Sequence, residues 1–227
     1  TEIFHLDIAW DYATWSTVIN IRLPRILAAF FVGAALATAG AAYQGMFQNP
    51  LVSPDILGAS SGAGFGAALA IFMDLGPVWI TAFAFAGAVI CVGAAYAVSR
   101  FTKGSATLSM VLAGILVSSL FTAMTSFLKT VADTEDQLPE ITYWLMGSLA
   151  GVGFDDLLLG SPFILVGIAV IFLLRWKMNM LSLHEDEARS LGVNVKHVRV
   201  LTILSAALIT ASGVSMCGSI GWVGLLI

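Results

Sequence analysis

The sequence predicts an all-α membrane protein that crosses the bilayer several times, and two observations lead to this fold class. Hydrophobic residues make up 59% of the 227 residues and charged residues only 11%, whereas soluble domains carry roughly 25% charged residues. Apolar runs close to the ~20 residues that cross a bilayer as a helix recur along the chain. They occupy residues 24–45, 56–73, 78–99, 107–128, 157–174 and 198–216, and a partial run begins at 218. We therefore expect six spans and part of a seventh.

The first two runs are predicted to form a hairpin in lipid. Pro24 suits a first helical position, because its missing N–H would have no partner there. Pro50 and Pro54 cannot lie inside a helix, so residues 48–55 are predicted to form a turn, hereafter the elbow.

Three glycines at the start of the second run, Gly58, Gly62 and Gly66, share one helix face because they recur every four residues. Without side-chain bulk, two helices can approach closely in lipid. We interpret the glycines as a packing surface, with the lining of a pathway as the alternative.

The basic residues predict the orientation. One set of loops holds the N-terminal stretch, 74–77 and 129–156, with Arg22, Arg25 and Lys129. The opposite set holds 46–55, 100–106 and 175–199 and carries seven basic residues: Arg100, Lys103, Arg175, Lys177, Arg189, Lys196 and Arg199. By the positive-inside rule, the second set is predicted to be cytoplasmic.

Several chemistries are not supported by the sequence. Cys91 and Cys217 have no CxxC partner, so we expect free buried thiols and neither a disulfide nor a metal site. The chain has no GxxxxGK[ST] motif for ATP, and the segment HEDEA at 184–188 lacks the second histidine of HExxH. No histidine lies in any predicted span to activate a serine. We therefore expect neither an enzyme nor a cofactor bound by this chain.

The ends of the sequence suggest a fragment. It opens without methionine or a signal-peptide pattern and stops at Ile227 inside a new apolar run. The expectation is one transmembrane permease domain over 1–227, truncated at both ends.

A series of short sequence motifs runs through the chain. It reads RLPR at 22–25, G-x-x-x-Q-G at 40–45 and NPL-x-x-P-x-x-LG-x-SSGA at 49–63, then YWLMG at 143–147, ARSLG at 188–192 and GSIGWVGLL at 218–226. This series resembles the FecCD family, the permease subunits of ABC importers for iron–siderophore, haem and cobalamin complexes.

The resemblance implies an architecture and partners. A complete protein of this family would have about ten spans in the inner (cytoplasmic) membrane and would pair with a second copy or a homologue. Two cytoplasmic ATPase subunits would bind ATP and Mg, and a periplasmic or lipid-anchored binding protein would deliver the substrate. An iron–siderophore complex is the expected cargo, and haem, cobalamin or an oxyanion are the alternatives within the family.

Arg22 and Arg25 are candidate docking residues. A cation at the N-terminus of a span opposes the positive end of the helix dipole, so another benefit is expected. From the residues alone, they either snorkel to lipid phosphates or bind an acidic partner. The resemblance favours docking of the binding protein.

The segment 182–192 is predicted to form a short helix at the membrane surface. Ser182 and Glu185 form a capping box, Glu185 and Arg189 are an i,i+4 pair, and Gly192 suits the C-cap. An ordinary interfacial helix is one interpretation. The resemblance implies a coupling helix that seats in the ATPase subunits, and the contact residues it implies are Leu183, Glu185, Ala188, Arg189, Leu191 and Gly192.

Asn49, Leu51 and Thr107 match the cytoplasmic gate positions of the family. By themselves, Asn49 and Pro50 indicate only a turn, and Thr107 suits an N-cap. The match is weaker at Thr107, because Leu108 stands where a small polar residue is frequent in the family.

An ion-coupled secondary transporter is the rival function. Such proteins place ionisable residues at membrane depth. None of the six predicted spans has an Asp, Glu, Lys or Arg near its middle, which counts against this rival.

Overall fold

In the computed structural model, residues 11–101, 106–180, 190–192 and 194–220 are described, without the side chains of residues 106 and 107. Every regular element in these ranges is a helix. We number them α1 (Tyr12–Phe47), α2 (Ala59–Phe72), α3 (Pro77–Ser99), α4 (Ala106–Val131), α5 (Gln137–Met146), α6 (Phe154–Met180) and α7 (Val195–Cys217).

Five of these helices are long and apolar enough to cross a membrane, namely α1, α3, α4, α6 and α7. The all-α, multi-pass fold class is therefore confirmed. The second predicted span differs from expectation, because α2 has only 14 residues and is about 21 Å long, less than the ~30 Å hydrocarbon core. Residues 56–58, which the apolar pattern assigned to this span, are not helical.

The first helix begins upstream of its predicted start. It begins at Tyr12, and a π-helical segment, Thr17–Arg22, lies directly before Leu23 and Pro24. Proline lacks an N–H, and its ring clashes with the carbonyl four residues earlier in a regular α-helix. A wider π turn relieves this conflict without ending the helix. Pro24 therefore lies in the first turn of the regular α-helical part, Leu23–Phe47, as predicted, and the unpredicted feature is the helical chain that precedes it.

Helix α7 is the centre of the bundle. It is 78% buried over its apolar window and packs on α1, α2, α3 and α6. Glycines of α6 allow close packing: a Cβ at Gly160 would overlap the Met216 side chain, and one at Gly167 would overlap Ile209. The Tyr43 hydroxyl of α1 donates to the carbonyl of Ile203, at 3.5 Å.

The loop predicted at 129–156 contains α5, which the apolar pattern did not predict. Gln137, its first residue, donates through Nε2 to the carbonyl of Phe72 and to Oδ1 of Asp74, at 3.3 and 3.1 Å. These bonds attach α5 to the end of α2.

The predicted loop 175–199 is shorter than expected. Helix α6 continues to Met180 and α7 begins at Val195. Four of its basic residues therefore lie in helices rather than in a loop: Arg175, Lys177, Lys196 and Arg199.

Candidate transport pathway and contact sites

One end of the bundle brings together the N-terminal stretch and the loops that the sequence placed on a common side. The Arg25 guanidinium, through Nη2, donates to the carbonyl of Ala150 at 2.5 Å. Thr81, at the start of α3, donates through Oγ1 to Oδ1 of Asp156, at the start of α6, at 3.4 Å. Helix starts and loops that are far apart in sequence therefore meet at this end.

Arg22 and Arg25 are both exposed at this end. Arg22 ends the π segment, so both side chains lie inside the continuous helix α1 and not at its N-terminus. The argument that they oppose the helix dipole therefore does not apply. Arg25 has a structural contact in Ala150 that the sequence did not indicate.

A second junction at the same end joins the YWLMG and GSIG motifs. Gly147 and Gly218 have φ values of 70° and 75°, in the left-handed region that favours glycine. The backbone N–H of Ser148 donates to the carbonyl of Cys217 at 2.7 Å. A Cβ at Gly147 would lie 2.6 Å from the carbonyl oxygen of Ser219, so these two chain segments meet through bare backbone.

At the other end, the elbow begins as a tight turn. Gln48 ends α1 with φ 51°, and the Asn49 side chain, through Oδ1, accepts a bond from the Leu51 N–H at 2.9 Å. Leu51 is 77% exposed. Thr107 lies in the first turn of α4, and its side chain is outside the described residues. A contact between Thr107 and the elbow therefore stays a prediction.

The segment 56–58, which directly follows the elbow, runs into the bundle rather than along its surface. A Cβ at Gly114 of α4 would overlap the carbonyl of Ile56, and one at Gly58 would overlap Oγ of Ser118 and lie 3.0 Å from Sγ of Cys91. At 1.5 Å per residue, Gly114 and Ser118 are about 12 and 18 Å along α4 from Ala106. Cys91 is similarly about 12 Å from the end of α3. Residues 56–58 therefore lie at membrane depth.

This position corrects one element of the sequence analysis. Asp55, assigned to a loop outside the membrane, precedes these deep residues. Its Oδ1 accepts a bond from the Ser60 N–H in the first turn of α2, at 2.6 Å. Non-helical backbone at membrane depth occurs where it is buried in protein or lines a cavity. An ionisable residue there indicates a functional site.

A cavity of about 570 Å³ adjoins Asp55 on the open side of α4. A run of hydroxyl-bearing residues lines it, with Ile56, Ile115 and Ala123: Ser61, Ser118, Ser119, Thr122 and Ser126. We call it the hydroxyl groove. Ser118, Thr122 and Ser126 recur every four residues, a spacing that the sequence analysis missed.

The glycine face of α2 lies against two neighbouring helices. A Cβ at Gly62 would overlap the carbonyl of Gly87, and one at Gly66 would overlap the carbonyl of Phe83, both on α3. Gly58 instead faces Ser118 and Cys91. The glycines thus lie where α2 and its elbow approach α3 and α4 most closely.

Most of the predicted coupling helix, including Leu183, Glu185, Ala188 and Arg189, lies outside the described residues. Of its C-terminal end, Leu191 is 59% exposed and Gly192 has φ 80°, the left-handed geometry of a helix C-cap. Cys91 and Cys217 are buried thiols. Within the described ranges, no three His, Cys, Asp or Glu residues are grouped to hold a metal ion.

The bundle, with a non-helical segment at membrane depth beside a polar groove, has the features of a multi-pass membrane transport protein. The whole chain, residues 1–227, matches the FecCD transport family. The chain belongs to this family.

Two curated relatives and one solved structure illustrate the similarity. The chain is 41% identical over 220 residues to the molybdate import system permease protein MolB of Haemophilus influenzae, covering 96% of this chain and 64% of that protein. It is 39% identical over 209 residues to the cobalamin import system permease protein BtuC of Halobacterium salinarum, covering 92% and 56%. The chain thus spans less than two thirds of the length of these relatives.

A solved metal-chelate type ABC transporter in an inward-facing conformation superposes with a TM-score of 0.90 at 37% identity, covering 97% of this chain and 71% of that one. Other relatives are named for iron chelatin and hemin transport. The resemblance to the FecCD family is therefore confirmed over the whole chain.

Proposed function

We propose that the chain is part of a permease subunit of an ABC importer that takes up a metal chelate, an iron–siderophore complex, across the inner membrane. The observation that carries this proposal is the family match over residues 1–227 together with the fold similarity to a metal-chelate type ABC transporter. The importers named for molybdate, cobalamin and hemin among its relatives provide the alternative cargoes.

In this proposal, the end of the bundle that carries Arg22 and Arg25 faces the outside of the cell. Both arginines are exposed residues, and their guanidinium groups form charge-assisted hydrogen bonds with acidic groups of a binding protein. The bond from Arg25 to Ala150 attaches α1 to the loop at 147–151. The loop therefore presents Arg25 at a fixed position instead of on a free side chain.

The opposite end faces the cytoplasm, where two ATPase subunits hydrolyse ATP. Their closure moves the coupling helix at 182–192, which directly precedes the central helix α7. Because α7 packs on α1, α2, α3 and α6, a displacement of its first turn reaches most of the bundle. The elbow with Asn49 and Leu51 opens and closes the cytoplasmic exit in this cycle.

The pathway itself runs between this chain and a second permease copy, along the open face of α4. Among the described helices, α4 packs mainly on α2 and α3 and leaves its other face exposed. That face carries the hydroxyl groove and large apolar side chains such as Leu116 and Leu120, which suits passage of a bulky complex without tight binding.

An ion-coupled secondary transporter is the second candidate, and Asp55 is the observation that favours it. A carboxylate at membrane depth is typical of such transporters. Asp55 also has a structural function, because it accepts the Ser60 N–H at the start of α2. We favour the ABC importer because this bond explains the position of the carboxylate.

Replacement of Leu191 by Asp tests the coupling interface in the complete importer. An unpaired charge in a dry contact costs about 2 kcal/mol or more, so we expect a loss of roughly 30-fold in ATPase affinity. Asn194→Asp is the matched control, because it adds the same charge at a position where Asp caps the helix as well as Asn. The Asn194 side chain accepts the His197 N–H.

The measurement is the amount of ATPase that co-purifies with each variant from membranes. We expect a large loss with Leu191→Asp and a wild-type amount with Asn194→Asp. Full retention of the ATPase by Leu191→Asp, with normal uptake, would contradict the coupling assignment.

A further inference from the structure

The chemistry of the hydroxyl groove indicates which cargo it accepts. We propose that the groove is a hydrogen-bond-accepting, cation-favouring part of the pathway, which favours a neutral or cationic chelate with N–H or O–H donors and disfavours a bare oxyanion. This inference rests on the proposed transport function.

The first support is the direction of the hydroxyl bonds. Ser118, Ser119 and Ser126 donate through Oγ to the carbonyls of Gly114, Ile115 and Thr122 of their own helix, at 2.6, 2.8 and 3.0 Å. A hydroxyl has one proton and two lone pairs. Because the protons are engaged within α4, these residues present lone pairs to the groove, and lone pairs bind donors.

The second support is the carboxylate of Asp55 at the groove. The N-terminus of α2, which Asp55 caps through Ser60, carries the equivalent of about half a positive charge. The full negative charge of an ionised Asp55 exceeds this half charge, so the local field is negative whenever the carboxylate is ionised. No Lys or Arg lies among the residues that line this groove.

The third support is the depth of the groove in the membrane. The groove adjoins residues 56–58 and the part of α4 around Ser118, about 18 Å from the start of that helix. Charges at this depth are less screened by salt than charges on an exposed loop. An oxyanion would meet the lone pairs of Ser118, Ser119 and Ser126 and the Asp55 carboxylate here, and this repulsion is the basis of discrimination.

The test uses the complete importer in proteoliposomes, with Cys91→Ala and Cys217→Ala to remove both cysteines of this chain. A single cysteine replaces Thr122, and in a second reporter Ser126. Its reaction rates with a cationic and with an anionic methanethiosulfonate reagent are measured. Each rate is divided by the rate at which the same reagent reacts with a small free thiol. We expect the cationic reagent to react about five-fold faster, the effect of one charge over one or two helical turns in hydrated surroundings.

Asp55→Asn is expected to bring this ratio close to one. Asp74→Asn is the matched control at the opposite end of α2 and is expected to leave the ratio unchanged. Equal rates in the parent, or no reaction with either reagent at both reporters, would overturn the proposal. Equal rates mean that the groove has no negative field, and no reaction means that it is covered.

Uptake by the same vesicles separates this inference from the proposed function. We expect ATP-dependent uptake of a ferric trihydroxamate and none of molybdate. Uptake of molybdate in preference to the chelate would refute the inference and leave an ABC importer. Failure of ATP to drive uptake of ferric trihydroxamate, haem, cobalamin and molybdate alike would refute the proposed function, whatever the thiol rates.

Discussion

Substitution of Gly66 by Ala tests how closely α2 and α3 pack. The added Cβ would overlap the carbonyl of Phe83 and lie 3.1 Å from Cα of Ala84. Both neighbours are backbone atoms, so α3 itself must move. Overpacking of this kind costs about 1–3 kcal/mol.

Gly93→Ala, on α3, is the matched control. A Cβ at Gly93 meets nothing within 4 Å, so this variant gains about 0.5–1 kcal/mol from the better helix propensity of alanine. Gly66 also lies inside a helix, so the propensity gain is common to both variants, and they should differ by the overpacking cost of about 1–3 kcal/mol. For a protein of this size, that corresponds to roughly 2–12 °C in the midpoint of unfolding.

The assay is thermal unfolding of the detergent-solubilised protein, followed by the fraction that stays monodisperse after heating. We expect Gly66→Ala to unfold below the wild type and Gly93→Ala at or above it. If Gly66→Ala is as stable as Gly93→Ala, then α2 and α3 do not approach each other as closely as described, and the packing argument is wrong.

Three further predictions concern orientation, docking and the junction of the two motifs. A cysteine at Lys196 should resist an impermeant thiol reagent in intact cells and one at Asp136 should react; equal labelling would contradict the orientation. Reversal of Arg22 and Arg25 to Glu should weaken binding-protein affinity and reduce its salt dependence, measured with purified importer at low and high salt; an unchanged salt slope would leave the pair as lipid anchors. Gly147→Ala should lower the unfolding midpoint, because φ 70° strains alanine and Ser219 is close; an unchanged midpoint would refute this junction.

Apolar length predicted the long helices well, because crossing lipid fixes how many apolar residues a span needs. The runs at 78–99 and 107–128 correspond to Pro77–Ser99 and Ala106–Val131. The run at 198–216 corresponds to Val195–Cys217. In these three cases the predicted and observed ends differ by at most three residues.

Helix ends that depend on local contacts were not predictable in this way. Ile56 and Leu57 are as apolar as a helix interior, yet α2 begins after them. Gly58 has φ 82°, and the Asp55 carboxylate accepts a bond from the Ser60 N–H in the first turn of α2. Apolarity alone predicts neither the positive φ of Gly58 nor the bond between Asp55 and Ser60.

Local and tertiary contacts that apolarity does not reveal also explain the two other differences between the predicted and the observed fold. Helix α5 contains Pro139 and Glu140, which read as a loop, and its attachment to α2 through Gln137 is a tertiary contact. The helix through Pro24 continues because a π turn precedes the proline. Hydropathy does not detect such a turn.

Sequence reasoning identified some parts of the candidate site and missed others. Gly62 and Gly66 were recognised by their spacing, and Gly160 and Gly167, seven apart on α6, were detectable by the same criterion. The hydroxyl spacing of Ser118, Thr122 and Ser126 was also visible. The depth of Asp55 in the membrane could not be recognised from the sequence, because it depends on how the elbow packs on α4.

The proposed function requires that ATP hydrolysis by partner subunits drives transport through the complete permease. The most direct measurement is uptake of a radiolabelled ferric siderophore by proteoliposomes that contain the complete permease, its ATPases and its binding protein. We predict that uptake requires ATP on the side of the membrane where the ATPases are bound. Collapse of the proton and sodium gradients should leave this uptake unaffected. Uptake driven by an ion gradient without ATP would contradict the proposed function and identify a secondary transporter.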